Sequence, residues 1–342
     1  RCLSDWSSDV CSSDLFLPFN PVFMDLLPLI EQAIAKEKFG RRPDRLYEPI
    51  RYIMSLGGKR LRPVLVLLAY RMYREDFRRI IPQAVAVEAF HNFTLMHDDI
   101  MDKAPLRRGK PTVHRKWDVN TAILSGDVML VKVYDMLSVL EPELLSRALP
   151  VFNTTAREVC EGQQLDMDFE SLATVSEKQY LEMIRLKTAV LLGFSLQFGA
   201  MLAGAPEEEQ NMLYEFGTSV GIGFQLKDDL LDVYADKKKF GKQVGGDIIA
   251  NKKTFLLIKA LEKAKGKDRK ELDYWLAATK FKKAEKVAAV TAIYDRLGIE
   301  ALTRKKIDGC FGRAYSLLEK ISTVRNTAEI RQYAGVLMDR QH

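Results

Sequence analysis

The sequence from Pro82 to Asp102 reads PQAVAVEAFHNFTLMHDDIMD and ends in a cluster of three aspartates. Its apolar residues recur at helical spacing, which predicts one long helix. On that helix Asp98 and Asp102 are four residues apart, so their side chains project from the same side. Two carboxylates placed in this way repel each other by about 0.2–0.5 kcal/mol. The pair is therefore expected to need a cation between its members.

A second cluster of the same kind, Asp228, Asp229 and Asp232, lies in the stretch DDLLD. Both clusters follow apolar sequence, FTLM at 93–96 and IGFQL at 222–226, so neither is typical of a solvated helix face. Carboxylates in apolar surroundings need partners. Oxygen ligands without histidine or cysteine favour Mg2+, which keeps open positions for water and phosphate oxygens. The two clusters thus predict a magnesium site.

Composition narrows the class of protein. Of the 342 residues, 47% are hydrophobic and 29% charged, which is typical of a globular protein with a large core. The net charge of +6 is small, and the basic residues are not interleaved with aromatics, so no nucleic-acid surface is expected. Apolar runs such as 64–70 are too short for a transmembrane segment. Cysteines at 2, 11, 160 and 310 form no CxxC pair, and we expect a cytoplasmic protein.

Residues 1–15 differ from the rest of the chain. They are rich in serine and aspartate and contain a near-repeat, CLSD followed by CSSD. They lack the basic and apolar regions of a signal peptide. We expect a non-native or disordered leader there, and a single domain over 16–342.

Helical patterns fill the remainder, and no alternating strand pattern interrupts them, which predicts an all-α fold. The expected helices cover 25–38, 46–56, 63–73, 82–102, 117–140, 143–164, 176–202 and 207–234. A Lys- and Gly-rich loop at 236–254 follows, and further amphipathic helices reach the C-terminus.

Basic residues accompany the first cluster. The stretch GGKRLRP at 57–63 places Lys59 and Arg62 where a glycine turn meets a helix start, a place that attracts anions. Arg107 and Arg108 follow the aspartates closely, as expected if both groups meet a diphosphate. Each feature also has a plainer interpretation, namely an exposed basic turn or Arg–Asp salt bridges.

Three lysines and a histidine outside these basic stretches are further candidates for contacts with phosphate. Lys187, beside Thr188, precedes an apolar run, where a charge is costly unless it faces a polar cavity. Lys242 and Lys252 belong to a Gly-rich loop that is either a lid over phosphates or only a connection. His91 lies two helical turns before the first cluster, where it contacts a phosphate or serves as a structural histidine.

Taken together, these motifs resemble those of the trans-prenyltransferase, or polyprenyl diphosphate synthase, family. In family order they are GGKRLRP at 57–63, DDIMD with RRG at 98–109, GQQLD at 162–166, KT at 187–188, FQLKDDLLD at 224–232, and GKQVGGD with NK at 241–252. The resemblance runs from about residue 24 to the end of the chain. Its most specific part is the pair of aspartate-rich motifs.

The resemblance implies an antiparallel helical bundle around a central cavity, of the isoprenoid synthase type and usually a homodimer. It implies an enzyme that uses three Mg2+ ions to join isopentenyl diphosphate to an allylic diphosphate. By the family pattern the metal ligands are Asp98, Asp102 and Asp228, supported by Asp99, Asp229 and Asp232. The allylic diphosphate is held by Arg107, Lys187 and Lys252, and isopentenyl diphosphate by Lys59, Arg62, His91 and Arg108. The groups facing the allylic cation are Thr188, Gln225 and Lys242.

The resemblance also bears on the length of the product. Phe93 and Thr94 lie five and four residues before Asp98, about one helical turn below the metals. Aromatic residues at this level shorten the product in the family. One aromatic residue, with a threonine beside it, resembles the geranylgeranyl type; farnesyl and longer products are the alternatives.

Three rival interpretations are weighed against this one. A class I terpene cyclase typically carries an Asn/Asp, Ser/Thr, Glu pattern in place of the second aspartate cluster and needs no isopentenyl diphosphate site. An HD-type phosphohydrolase would use His91, His97 and Asp98, but their spacing in one helix and the repeated cluster argue against it. A non-catalytic partner subunit usually loses acidic residues, whereas this chain keeps all six.

Overall fold

A computed structural model describes residues 21–235 and 245–339. Residues 1–15, expected to be a leader, and Lys242, expected near the allylic cation, lie outside the described residues. The expected domain limits at 16 and 342 lie outside them as well, so the single domain over 16–342 stays a prediction.

Helices dominate the described residues, as the all-α prediction requires. The first part of the chain forms α1 (Pro21–Lys36), α2 (Asp44–Ser55), α3 (Leu61–Arg71), α4 (Ile81–Met101), α5 (Val113–Lys116), α6 (Val119–Ser138) and α7 (Pro142–Ser171). The second part forms α8 (Glu177–Ile184), α9 (Val190–Leu202), α10 (Glu207–Tyr234), α11 (Gly246–Ala250), α12 (Phe255–Lys263), α13 (Gly266–Ala277), α14 (Lys283–Leu297), α15 (Ile299–Ser322) and α16 (Ala328–Asp339).

Short elements connect some of these helices. A 3-10 turn, Phe77–Ile80, leads into α4, and a π-helical segment, Arg185–Ala189, joins α8 to α9. Two strands of two residues each, β1 (Leu106–Arg107) and β2 (Lys110–Pro111), form an antiparallel hairpin between α4 and α5. The hairpin holds the two arginines that follow the first acidic cluster.

The long helices close a ring. α4 packs on α6 and α3, α3 packs on α9, and α9 packs on α10. The π-helical segment contacts both α10 and α7, and α7 contacts α6 and α9. α9 is apolar on all sides and almost entirely buried, as such a helix must be in a globular protein. Within the described residues, no helix is both long enough and apolar enough to cross a membrane.

The sequence-based boundaries were wrong in three places. The helix expected at 143–164 continues to Ser171, because the buried ring of Phe169 anchors its acidic last turns. The helix expected at 176–202 is divided by the π-helical segment, whose wider turn does not follow the helical period of 3.6 residues. The loop expected at 236–254 contains α11, which is too short to show any periodicity.

Candidate active site

The two acidic clusters lie at the C-terminal ends of α4 and α10. Helix α4 ends at Met101, but Asp102 keeps helical backbone angles (φ −81°, ψ −9°), so it stays near Asp98. Burial, and after it the charge of Asp98, raise the pKa of Asp102 to about 8. The carboxylate repulsion predicted from the sequence is therefore present in the fold.

Lys187 connects the first cluster to α7. Its Nζ lies 2.7 Å from Oδ2 of Asp166 and 3.3 Å from Oδ1 of Asp98. Burial alone would lower the pKa of Lys187, but these two carboxylates raise it above its ordinary value. Lys187 is therefore a cation held at the edge of the first cluster. Asp166 was not among the predicted site residues, although the GQQLD motif contains it.

The π-helical segment can lie this close to α7 only because α7 carries Gly162. A Cβ atom built on Gly162 would lie 2.1 Å from the backbone nitrogen of Lys187 and 2.6 Å from its Cα. Both distances are far below van der Waals contact, and the atoms belong to backbone that cannot rotate away. Glycine at 162 therefore sets the position of Lys187.

Lys252 lies between the two clusters. Burial would lower the pKa of its ammonium, but four carboxylates raise it above its ordinary value, those of Asp247, Asp166, Asp229 and Asp102. These carboxylates come from four separate parts of the chain, including both clusters. Lys252 thus occupies the electrostatic centre of the site.

The buried face of the second cluster forms a hydrogen-bonded chain. Gln225 Nε2 donates to Asp229 Oδ1 at 3.1 Å, and the Thr188 hydroxyl donates to Gln225 Oε1 at 3.4 Å. The hydroxyl of Tyr180, on α8, also donates to Asp229. Burial raises the pKa of Asp229 to about 6 in spite of these donors. Sequence reasoning missed Tyr180, because nothing in its local sequence marks it.

Asp232 faces the start of α11. Its carboxylate accepts hydrogen bonds from the backbone nitrogens of Gly246 (3.2 Å) and Asp247 (2.9 Å). Asp247 is buried, and burial together with the charges of Asp232 and Asp229 raises its pKa well above the ordinary range. Asp247 is thus a further acidic residue beside the second cluster.

A separate group of cations lies around His91, which is two turns nearer the start of α4 than Asp98. Burial lowers the pKa of Arg62 to about 10 and that of Arg108 to about 10. Burial and the charges of Arg62 and Arg108 lower the pKa of His91 well below its ordinary value, so His91 is neutral at pH 7. Lys59 is half-buried on the adjoining turn, and Arg108 donates to the carbonyl oxygen of Gly57. The expected members of the isopentenyl diphosphate site thus lie together.

A buried carboxylate supports these cations. Glu88 is 2% exposed and accepts a hydrogen bond from Nη1 of Arg60 at 2.9 Å. Arg60 also donates to Glu31 at 2.7 Å and to the carbonyl oxygen of Met54 at 2.7 Å. The negative charge of Glu88 favours the charged forms of Arg62 and Arg108. Neither glutamate was predicted to belong to the site.

The two neighbouring arginines of the hairpin have different partners. Arg107 donates from Nε and Nη2 to Asp99 at 2.8 Å and 2.7 Å, and both side chains are buried. Its Nη2 is 3.9 Å from Asp98 Oδ2. Arg108 contacts Gly57 instead. The hairpin therefore joins the acidic end of α4 to the GGKRLRP turn.

The donor set suits magnesium. Among residues 21–235 and 245–339, no three acidic, imidazole or thiol side chains are close enough to form a ready-made metal site. Mg2+, however, usually takes one or two carboxylates and completes its shell with water and substrate phosphates. Asp98 Oδ1 is buried and accepts no well-directed hydrogen bond, although Nζ of Lys187 is 3.3 Å away, and Asp102 resists ionisation beside it. A divalent cation would relieve both conditions, so the residues fit it.

The expected chain-length residues lie on α4 below the first cluster. Thr94 is half-buried, and its hydroxyl donates to the carbonyl oxygen of His91 at 2.8 Å. The Phe93 ring packs edge-on against His97, with centroids 4.9 Å apart, and obliquely against Phe90 at 5.7 Å. Phe90 in turn packs against Phe152 of α7 at 5.2 Å. Phe93 is thus the first ring of an aromatic wall.

Comparison with known proteins decides the family. Residues 43–294 match the family model described as Polyprenyl synthetase. The chain belongs to the polyprenyl synthetase family. Geranylgeranyl diphosphate synthase of Methanosarcina mazei is 46% identical over 224 residues, which cover 65% of this chain and 69% of that protein. Geranylgeranyl pyrophosphate synthase of Geoglobus acetivorans is 43% identical over 243 residues, covering 70% of this chain and 76% of that protein.

The fold agrees with this family. A crystal structure of geranylgeranyl pyrophosphate synthase is similar with a TM-score of 0.86 and 40% identity, covering 95% of this chain and all of that one. The predicted all-α bundle of the isoprenoid synthase type is thereby confirmed. As a polyprenyl synthetase the chain is a prenyltransferase, and the phosphohydrolase interpretation is excluded.

Proposed function

We propose that this prenyltransferase condenses isopentenyl diphosphate with an allylic diphosphate, releases pyrophosphate, and makes geranylgeranyl diphosphate. The observation that carries this proposal is the presence of two separate anion sites along α4. One combines aspartates with Lys187 and Lys252, and the other combines Arg62, Arg108 and neutral His91. A cyclase would need only the first. The names of the relatives support the same reaction and product.

The first site suits the allylic diphosphate. We propose Asp98, Asp102 and Asp228 as ligands of Mg2+, three ions in all, with Asp99, Asp229 and Asp232 supporting them. When bound, Mg2+ would stabilise the charge that grows on the departing diphosphate. Lys187 and Lys252 would hold its oxygens, and their raised pKa values keep both ammonium groups charged at pH 7. Arg107 would also bind this diphosphate. Its two hydrogen bonds to Asp99 would hold its guanidinium group beside α4.

The second site suits isopentenyl diphosphate. Lys59, Arg62 and Arg108 would bind its phosphates, and His91 would donate a hydrogen bond. After the allylic carbon–oxygen bond breaks, the double bond of isopentenyl diphosphate attacks the allylic carbon and a proton is lost, which the departing pyrophosphate accepts. Thr188, Gln225 and Lys242 would face the transient cation. The apolar surroundings would keep water away from it.

Product analysis tests this proposal. Purified protein with Mg2+ and labelled isopentenyl diphosphate would receive dimethylallyl, geranyl or farnesyl diphosphate, with EDTA-treated protein as the control. Products ending at geranylgeranyl diphosphate would support the proposal in full. A shorter end point, such as farnesyl diphosphate, or a longer one would retain the condensation and reject the product. A folded protein that condenses none of the primers would overturn both the proposed condensation reaction and the proposed product.

We also propose that the chain forms a homodimer through α6. This helix exposes Ile123 (40%), Leu124 (58%), Val131 (58%) and Tyr134 (38%) on one side, facing away from the ring. A group of exposed apolar side chains on one helix face, here with the charged Asp127 among them, is typical of an interface, and one helix face can pair with its own copy about a two-fold axis. Sedimentation analysis is expected to show a dimer, weakened by Val131→Glu and not by Val139→Glu beyond the helix end. A wild-type monomer would overturn this proposal.

A further inference from the structure

Lys286, in the first turn of α14, is a buried cation that the reaction described above does not use. Its side chain is 1% exposed. Nζ lies 2.6 Å from Asn251 Oδ1, 3.5 Å from the carbonyl oxygen of Ile249, and 4.4 Å from the centre of the Phe281 ring. Within the described residues, no carboxylate forms an ion pair with it. Burial accordingly lowers its pKa.

A buried ammonium without a carboxylate is costly, so its contacts need an explanation. Both hydrogen-bond acceptors of Lys286 lie at the C-terminal end of α11. That end has unsatisfied carbonyl groups, for which a lysine is a favourable partner. Asn251 adopts a left-handed backbone conformation there (φ 56°), and its Nδ2 donates to the carbonyl oxygen of Leu276 at 3.0 Å. Lys286 and Leu276 together fix the side chain of Asn251.

The turn that Lys286 fixes leads directly into the active site. The backbone nitrogen of Lys252 donates to the carbonyl oxygen of Asp247 at 2.9 Å, and its carbonyl oxygen accepts from Thr254 at 2.8 Å. The opposite end of α11 is bound to Asp232 of the second cluster. Segment 245–254 is therefore held at its start by a residue of the acidic site and at its end by Lys286.

We propose that Lys286 is a positioning residue for the allylic diphosphate site: it locks the turn at Asn251 and so holds the ammonium group of Lys252 between the two acidic clusters. The expected effect on the allylic diphosphate rests on the proposed function. The statement that Lys286 locks the turn at Asn251 rests only on the contacts described above. Lys286 touches neither substrate. It acts through Asn251 and the backbone of α11.

The position of Lys252 matters more than its presence. The charges of four carboxylates act on its ammonium group, so a shift of the backbone at Lys252 moves a positive charge relative to several negative ones at once. Outer residues that orient a metal or phosphate site are typically worth about 10–100-fold in affinity or activity. Arg62 belongs to α3 and His91 to α4, whereas the contacts of Lys286 among the described residues are with Ile249, Asn251 and Phe281. Loss of Lys286 should therefore weaken the binding of the allylic diphosphate and leave the binding of isopentenyl diphosphate unchanged.

The test compares Lys286→Met, Lys286→Arg and Asn251→Gly with Val290→Ala. Val290 is buried one turn further along α14 and lines the same cavity as Asn251, so its truncation loosens that cavity but removes neither hydrogen bond of Lys286. Glycine at 251 keeps the left-handed conformation and removes the acceptor, which provides a mild variant if Lys286→Met does not fold. We expect Lys286→Met and Asn251→Gly to raise the KM for the allylic diphosphate about tenfold or more, with the KM for isopentenyl diphosphate unchanged. Lys286→Arg should restore much of the loss.

Hydrogen exchange of the protein without substrate provides a second readout. The amides of Asn251 and Lys252 should exchange faster in Lys286→Met and Asn251→Gly than in the wild type and Val290→Ala. Equal exchange in all four proteins, or the same kinetic change in Val290→Ala as in Lys286→Met, would overturn the inference. A wild-type protein without condensation activity would overturn the proposed function instead, and the exchange comparison would still decide whether Lys286 holds the turn.

Discussion

At the residue scale, two buried carboxyl groups on or beside α4 have opposite effects on the fold. Asp102 lies in apolar surroundings beside another aspartate, and its pKa rises to about 8. Glu88 instead accepts a hydrogen bond from Arg60 at 2.9 Å and balances a group of arginines. Without a metal, the first group is unfavourable when charged. The second is the counter-ion of two buried arginines, Arg60 and Arg62, and of the half-buried Arg108.

Asp102→Asn is expected to stabilise the metal-free protein above pH 8 and to lower activity about a hundredfold or more. The folded-state pKa, about 8, exceeds the ordinary value of 3.8, so the folded protein binds this proton more tightly than the unfolded chain does. The stability contributed by this proton is therefore lost as pH rises from about 4 to 8. Thermal melts in EDTA between pH 6 and 9 measure the difference.

The control for this prediction is Asp308→Asn on α15, whose side chain is exposed and which should change neither property. An Asp102→Asn protein that melts below the wild type at pH 9 would contradict the repulsion argument. Retained activity would contradict the role of Asp102 as a metal ligand.

Glu88→Gln is expected to destabilise the protein by roughly 3–5 kcal/mol, since it leaves the buried guanidinium of Arg60 without its closest buried counter-ion. Chemical denaturation measures this change. Glu31→Gln is the matched control, because Glu31 also contacts Arg60, at 2.7 Å, but its side chain is 41% exposed. The loss for Glu31→Gln should be about 1 kcal/mol or less. Equal losses would show that burial of Glu88 does not decide its contribution.

The sequence predicted which residues bear charge at the site but not how they pair. The spacing of Asp98 and Asp102 was enough to predict their repulsion, because helical spacing is local. The pairing of Arg107 with Asp99, and of Arg108 with Gly57, depends on a hairpin of two-residue strands. Tyr180 reaches Asp229 only because α8 packs against α10, and no local pattern marks it. Glu88 lies on α4 itself, but its role as a counter-ion depends on Arg60, which comes from the turn before α3.

At the scale of elements, the π-helical segment and Gly162 form a matched pair. The wider turn at Arg185–Ala189 places Lys187 within 2.7 Å of Asp166, and the glycine of α7 leaves space for its backbone. The hydrophobic periodicity predicted one continuous helix across the π-helical segment. A single wide turn displaces the apolar pattern only slightly, so the sequence contains no sign of the interruption. The short helix α11 escaped prediction for a similar reason, since five residues do not establish a period.

Gly162→Ala is expected to lower kcat about a hundredfold, because the new Cβ would push the backbone of Lys187 away from its carboxylates. Kinetics at saturating substrate, together with thermal melts, check this. Gly309→Ala on α15 is the control: a Cβ there meets nothing within 4 Å, and alanine in a helix should stabilise the fold by about 0.5–1 kcal/mol. Unchanged kcat in Gly162→Ala would show that Lys187 tolerates displacement.

At the scale of the whole molecule, α4 organises the site, and the other helices set its limits. The cations around Glu88 and His91, the aromatic Phe93, and the acidic cluster follow one another along this helix. Their order was readable from the sequence, and so was the family. The wall below the cluster was not, because Phe152 comes from α7 and Phe194 from α9. We therefore expect product length to depend on residues from several helices, among which Phe93 provides the ring nearest the aspartates.

Phe93→Ala is expected to lengthen the product by at least one isoprene unit. The Phe93 ring packs between His97 and Phe90, and its removal opens the level just below the aspartates. Extension past Phe93 would be limited next by Phe90 and Phe152, which remain in contact at 5.2 Å. Chromatography of products from labelled isopentenyl diphosphate gives the chain length directly.

Phe198→Ala is the control for this last prediction. Phe198 stacks on Phe194 at 5.2 Å, and Phe194 reaches Phe93 only through Phe152 and Phe90. Its loss should cost stability, about 3–5 kcal/mol, without changing the product. A product that stays the same in Phe93→Ala would show that Phe93 is not the floor. A product that lengthens equally in both variants would mean that general loosening of the bundle, and not the ring next to the aspartates, controls where elongation stops.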